Sequence, residues 1–273
     1  MTPPSVVALI EIGFDPVLRL CELAVRWQTI GVTLALLAAL ALTALLAARW
    51  MLRLGDIVLI VAAVVPGAVI GGRLVHALAY LDAYAAQPIK ILDPAVGSLS
   101  LLGAVLGGLL SGAYVARLLG APVKRWADVA AVPLLVAIGL GKFAQFLGGS
   151  GQGMPFDGPW AVAFVGSGPW VSANAELPAH PSQIYEALWV LLGIPLVLLL
   201  ARARRARPAD VGRLFVSALA WFLIGRLLVG LTWRDDATVG ALNSEQAIAL
   251  TVLVCLFLRS RVRAGREVPL PAP

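Results

Sequence analysis

The chain has 273 residues, of which 60% are hydrophobic and 13% charged, with a formal net charge of +6. An ordinary soluble domain carries about 25% charged residues, so this composition excludes a cytosolic enzyme, a disordered chain and a disulfide-stapled scaffold. Cys21 and Cys255 lie far apart in apolar settings, show no metal or redox spacing, and read as structural thiols.

A helix needs about 20 consecutive apolar residues to cross a bilayer. The first run to qualify is 30–49, rich in Leu and Ala; a mildly acidic stretch precedes it, so it reads as an anchor and not a cleavable signal peptide. The second, 57–80, carries Arg73 and His76 near its end. Runs 98–119 and 126–148 follow, the latter with Pro133 and Lys142 inside it. A Gly- and Pro-rich loop, 149–182, is long enough to be functional and reads as an external cap. Runs 183–201, with Glu186 and Pro195, and 211–233, with Arg226, come next, and 244–260 is the shortest. There is no internal repeat or low-complexity tract. The expected fold is an all-α integral membrane protein, a single polytopic domain over 1–273 with about seven transmembrane helices.

Charge sets the expected orientation. Arg49 and Arg53 follow the first span, and Arg117, Lys124 and Arg125 lie beyond the third. Arg202, Arg204, Arg205, Arg207 and Arg213 link the fifth and sixth, and Arg259, Arg261, Arg263 and Arg266 follow the last. Loop 149–182 contains Asp157, Glu176 and no Lys or Arg. By the positive-inside rule the N-terminus is outside and the C-terminus cytoplasmic. The basic excess is thus a topology signal, and no nucleic-acid partner is expected.

Charged side chains at membrane depth are costly and call for an explanation. Arg73, His76, Lys142, Glu186 and Arg226 all fall in the outer third of their spans. Arg73 and His76 share a helix face, as do Gln183 and Glu186, with Tyr185 beside them and His180 just before the helix. One reading is that these groups snorkel to the interface or pair to lock the bundle. The other starts from the charge balance, three cations to one carboxylate. Pairing Glu186 with Arg226 or Arg73 leaves positive charge that an anionic lipid head group would neutralise.

His180-Pro181-Ser182-Gln183-Ile184-Tyr185-Glu186 resembles the His-Pro-Ser/Thr-Gln-Leu-Tyr-Glu signature of the bacterial prolipoprotein diacylglyceryl transferases. Gly71-Gly72-Arg73-Leu74 and Gly225-Arg226 resemble that family's Gly-Gly/Ala-Arg-Leu and late Gly-Arg segments. The resemblance implies transfer of diacylglyceryl from phosphatidylglycerol to the thiol of a lipobox Cys in a secreted preprotein, at the outer face of the bacterial cytoplasmic (inner) membrane. It implies no metal or organic cofactor. In these terms Lys142 and Arg226 hold the phosphate, while Arg73 and Glu186 order the bundle. Gln145, Gly153, His180, Gln183 and Tyr185 join them around the substrate.

The sequence departs from the family pattern at several positions. Where the family reads Gly-Arg-x-Gly-Asn-Phe-x-Asn-Gly-Glu, this chain has Lys142 for the Arg, Gln145 for the first Asn, Gly148 for the second and Ser150 for the Glu. Leu102 replaces a His in the Ser-Phe-His-Gly-Gly segment, Gly230 a Glu, and Gln28 a Tyr. A thiol needs a proton acceptor, and with Leu102 unable to serve, His76 is the first candidate base, with His180, close in sequence to Glu186, as the other. Three readings follow: an active transferase, a family member that binds phospholipid as an accessory subunit of a membrane complex, and an enzyme with a different acceptor.

Overall fold

The computed structural model describes residues 9–85, 87–92, 99–204 and 211–266. Arg205, Arg207 and position 98, where the third span was expected to start, lie outside them. Each expected run falls on one long helix: α1 Trp27–Arg49, α2 Leu54–Ala79, α4 Leu101–Leu118, α5 Val123–Leu147, α6 Ser182–Arg204, α7 Arg213–Val229 and α8 Ser244–Arg266, with a short α3, Leu81–Ala85, after α2. Six of them, α1, α2 and α4–α7, are long and apolar enough to cross a membrane. α8 has the length but carries Glu245 and Arg259 and is not one of these six. Pro133 and Pro195 sit inside α5 and α6 without ending them.

Four short strands escaped the sequence reading. β1, Ile10–Ile12, pairs in parallel with β4, Val162–Phe164, and β2, Val17–Leu20, forms a hairpin with β3, Leu23–Arg26. Runs of three or four residues carry no usable alternation, and β1 finds its partner far along the chain. Cys21 and Cys255 are both free and exposed, so neither is a buried structural thiol.

The chain divides into two compact units. The first comprises Met1–Thr43, Ala130–Asp210 and Ser217–Asp236. Here α6 and α7 are joined by Trp189 and Trp221, whose rings stack at 4.6 Å. Each indole N–H donates to the other's backbone carbonyl, Trp189 Nε1 to Trp221 O at 2.9 Å and Trp221 Nε1 to Trp189 O at 2.7 Å. Gly193 and Gly225 give the rings room, since a Cβ at either would strike the opposing indole. Loop 149–182 is anchored by β4, by Gly153 N–H donating to His180 O, and by Gln152, whose amide donates to Ala175 O and Leu177 O at 3.0 Å each.

The second unit comprises Ala44–Val129, Val211–Val216 and Ala237–Pro273. α2 and α4 cross with their backbones nearly touching. Gly67 and Gly71 of α2 meet Gly103, Gly107 and Ser111 of α4; a Cβ at Gly71 would collide with Gly103 O, and one at Gly107 with Gly67 O. Two facing Gly-x-x-x-Gly spacings produce this approach, the usual device of helices in lipid, where burial of apolar surface supplies no drive. Ser100 caps α4, its hydroxyl accepting from Gly103 N–H, and it donates to Glu245.

Candidate active site

The first unit buries a charged triad. Glu186, at 0% exposure, receives Arg226 Nη1 at 2.7 and 2.9 Å on its two oxygens and Lys142 Nζ at 3.0 Å. Lys142 and Arg226 are 6% and 5% exposed, so solvent does little to screen any of the three. Local order explains the meeting. The tryptophan clamp fixes α6 against α7; Glu186 lies one turn from Trp189, and Arg226 directly follows Gly225, the residue that admits the indole of Trp189. Lys142 comes from the last turns of α5.

Sequence reasoning missed Trp233. Its ring lies 4.7 Å from Lys142 Nζ and 5.9 Å from the Arg226 guanidinium, so an aromatic face supplies the negative potential that a second carboxylate would otherwise give. Its own N–H is buried with no hydrogen-bond partner among the described residues, and so is Gln183 Oε1, one turn before Glu186. Arg234 was also missed; it holds the loop by donating to Gly153 O at 2.6 Å and Ala173 O at 3.1 Å. A Trp or Arg at the end of an apolar run looks like an interfacial anchor, so the sequence offered no signal for either role.

The remaining predicted residues of this unit sit close by. Gln183 donates to Ser150 O at 2.8 Å. Gln145, one turn after Lys142, has a buried Oε1 without a hydrogen-bond partner. Gly153 packs where a Cβ would strike His180 and Ser182. Ser182 in turn bonds to Thr232, 2.7 Å between hydroxyls. His180 stacks on Phe156 at 3.9 Å and lies 3.3 Å from the Tyr185 hydroxyl, which also accepts from Trp160 Nε1 at 2.6 Å. Burial lowers the His180 pKa below the ordinary imidazole value, which favours the neutral ring. The pair His180–Tyr185 therefore belongs to a neutral aromatic cluster and not to the charged triad.

Arg73 and His76 belong to the second unit. Arg73 Nε donates to Ile91 O at 3.0 Å and its Nη2 to Lys90 O at 3.3 Å. Glu186 is paired with both Lys142 and Arg226, so within the triad two cations face one carboxylate. His76 lies against Tyr80, ring centroids 4.8 Å apart, with Tyr84 edge-on at 6.1 Å. Leu102 is fully buried, and its N–H donates to Glu245 Oε2 at 3.3 Å.

Three departures from the family pattern lie together. Ser150 Oγ donates to Gln28 Oε1 at 2.9 Å, and a Cβ at Gly148 would strike the Gln28 side chain. Gln28 thus meets the other two: its side chain takes the space beside Gly148 and accepts from Ser150. Gly230 opens the single 3-10 turn Gly230–Thr232 that ends α7 and sets Trp233 in place, Trp233 N–H donating to Gly230 O at 3.4 Å.

Chemically, this is a preorganised cationic wall with unsatisfied polar atoms next to it, suited to a phosphate ester whose negative charge grows as it leaves. Comparison with known proteins points the same way. The family profile described as prolipoprotein diacylglyceryl transferase matches residues 16–259. A phosphatidylglycerol–prolipoprotein diacylglyceryl transferase of Geobacter sulfurreducens is 36% identical over 251 residues, 89% of this chain and 92% of that protein. Proteins of the same name from Trichormus variabilis and Bacillus cytotoxicus are each 28% identical, over 96% and 74% of this chain and 91% and 75% of theirs.

Proposed function

This chain belongs to the prolipoprotein diacylglyceryl transferase family and is a transferase, and on that premise we propose that it moves the diacylglyceryl group of phosphatidylglycerol onto the Cys thiol of a secreted preprotein. The thiolate sulfur attacks the terminal glyceryl carbon, the carbon–oxygen bond to phosphate breaks, and glycerol phosphate leaves with the electron pair. The observation that carries this reading is the buried triad. Glu186 fixes Lys142 and Arg226 before substrate arrives, and two preset cations beside one carboxylate suit a phosphate. Lys142 is a point charge in place of a forked guanidinium, and Trp233 keeps its ammonium in register. His76 is assigned as acceptor of the thiol proton, and Arg73 as the residue that orders its stretch of chain through the carbonyls of Lys90 and Ile91. Gln145, Gly153, Gln183 and Tyr185 are assigned to the substrate's surroundings, with His180 holding Tyr185. All the relatives named above are called transferases, and no observation favours the accessory-subunit reading.

The test is a mass-spectrometric transfer assay with purified protein, phosphatidylglycerol and a single-Cys lipobox peptide, with a Cys→Ser peptide beside it. A Cys-dependent gain of one diacylglyceryl group is expected. Lys142→Ala and Arg226→Ala should each weaken phosphatidylglycerol binding and lower the rate by about 10²–10³, the scale of losing one preorganised donor. No gain from a wild-type protein that still binds phosphatidylglycerol would overturn the reading.

The protein is multi-pass, and we place it in the bacterial inner membrane with its N-terminus outside. A reporter inserted near Ser167 should be external, and one fused at position 272, which lies outside the described residues, should be cytoplasmic. The reverse pattern would sink that orientation.

A further inference from the structure

The second unit holds an open hollow of about 590 Å³ whose described lining includes four exposed cationic side chains, Arg117, Lys124, Arg125 and Arg259, and no acidic one. Pro122, Val123 and Val211 complete its wall. These cations come from separate parts of the sequence: the last turn of α4, the first turn of α5 and the latter part of α8. Scattered along the chain they read as topology signals. In the fold they wall one space.

Three features make this space hungry for an anion. Like charges gathered around one cavity repel, and among the described residues none of the four makes an ion pair. Lys124 and Arg125 stand in the first turn of α5, which contains no acidic residue, where the helix dipole disfavours cations and favours anions. The nearby carboxylate of Asp128 is engaged elsewhere: it accepts from Gly212 N–H at 2.6 Å and Phe215 N–H at 3.1 Å, closing the start of α7. The apolar groups in the wall, Pro122, Val123 and Val211, suit the glyceryl end of a lipid and not a free ion.

We propose that this cavity binds the phosphate-bearing head group of an anionic phospholipid, at the end of α5 opposite Lys142. Basic pockets between membrane helices take such head groups, and four cations match the two phosphates of a cardiolipin. The site is separate from the transfer reaction, and the proposal stands whether or not the chain is a transferase. On the orientation given above the lipid comes from the cytoplasmic leaflet.

The experiment is a lipid titration of purified protein in detergent, read by native mass spectrometry and by thermal shift, with cardiolipin, phosphatidylcholine and inorganic phosphate as separate arms. Cardiolipin should be retained and should raise the melting temperature; phosphatidylcholine should do neither. Arg125→Gln with Arg259→Gln should weaken cardiolipin binding roughly thirtyfold, about fivefold for each cation removed. Lys124→Gln, a milder change that serves if the double variant does not fold, should weaken it about fivefold. Circular dichroism verifies the fold of each. Equal cardiolipin affinity in a folded variant and the wild type would overturn the site. Full protection by inorganic phosphate alone would overturn its assignment to a lipid.

Discussion

Glu186→Gln is expected to destabilise the protein by about 3–5 kcal/mol, the usual loss when one partner of a buried ion pair is removed. The carboxylate is fully buried and pairs with both Lys142 and Arg226. The amide keeps its shape and removes its charge, leaving two cations facing each other beside Trp233 in a poorly hydrated interior. Lys142→Met is the informative contrast. It leaves Glu186 and Arg226 as a neutral pair, so it should cost far less stability while still removing a phosphate ligand. Unfolding in graded detergent mixtures, followed by tryptophan fluorescence, separates the two. If Glu186→Gln proved as stable as Lys142→Met, the carboxylate would not be the neutralising centre of the triad.

Gly107→Val should be comparably damaging, for a steric reason. Its Cβ would collide with Gly67 O, a backbone atom that no rotamer change can move aside. Overpacking costs about 1–3 kcal/mol where side chains can shift; here α2 and α4 must separate, so the upper end or beyond is expected. Gly141→Val is a suitable control, because a Cβ at Gly141 meets nothing within 4 Å. Melting temperatures of the purified variants test the pair, and equal values would show that α2 and α4 do not depend on backbone contact.

Most of the helical scaffold was legible because bilayer crossing imposes a length and a polarity that survive in a single sequence. The end of the chain was harder: α8 forms, but its polar flanks crowd in on the apolar stretch. The members of the triad were legible too, since a buried charge is conspicuous in a run of Leu and Ala. Their pairing was not. Glu186 could have met Arg73 by composition, and only the tryptophan clamp, made by residues four positions from Gly193 and Gly225, selects Arg226. Trp233 and Arg234 stayed hidden because the sequence places them at a helix end, where such residues ordinarily mark an interface. The substitutions at Gln28, Gly148 and Ser150 looked like independent losses until their contact was visible. Contact between distant positions cannot be read from one chain by periodicity or spacing.

The reciprocal indoles of Trp189 and Trp221 also have a mechanical meaning. Sliding α6 along α7 by even one residue would break both N–H bonds at once and drive each ring towards backbone where a glycine had stood. The two helices therefore travel as one strut, and Glu186 and Arg226, mounted on it, keep their spacing through any opening and closing. Any rearrangement elsewhere in that unit leaves the charged wall in place as a stationary jaw.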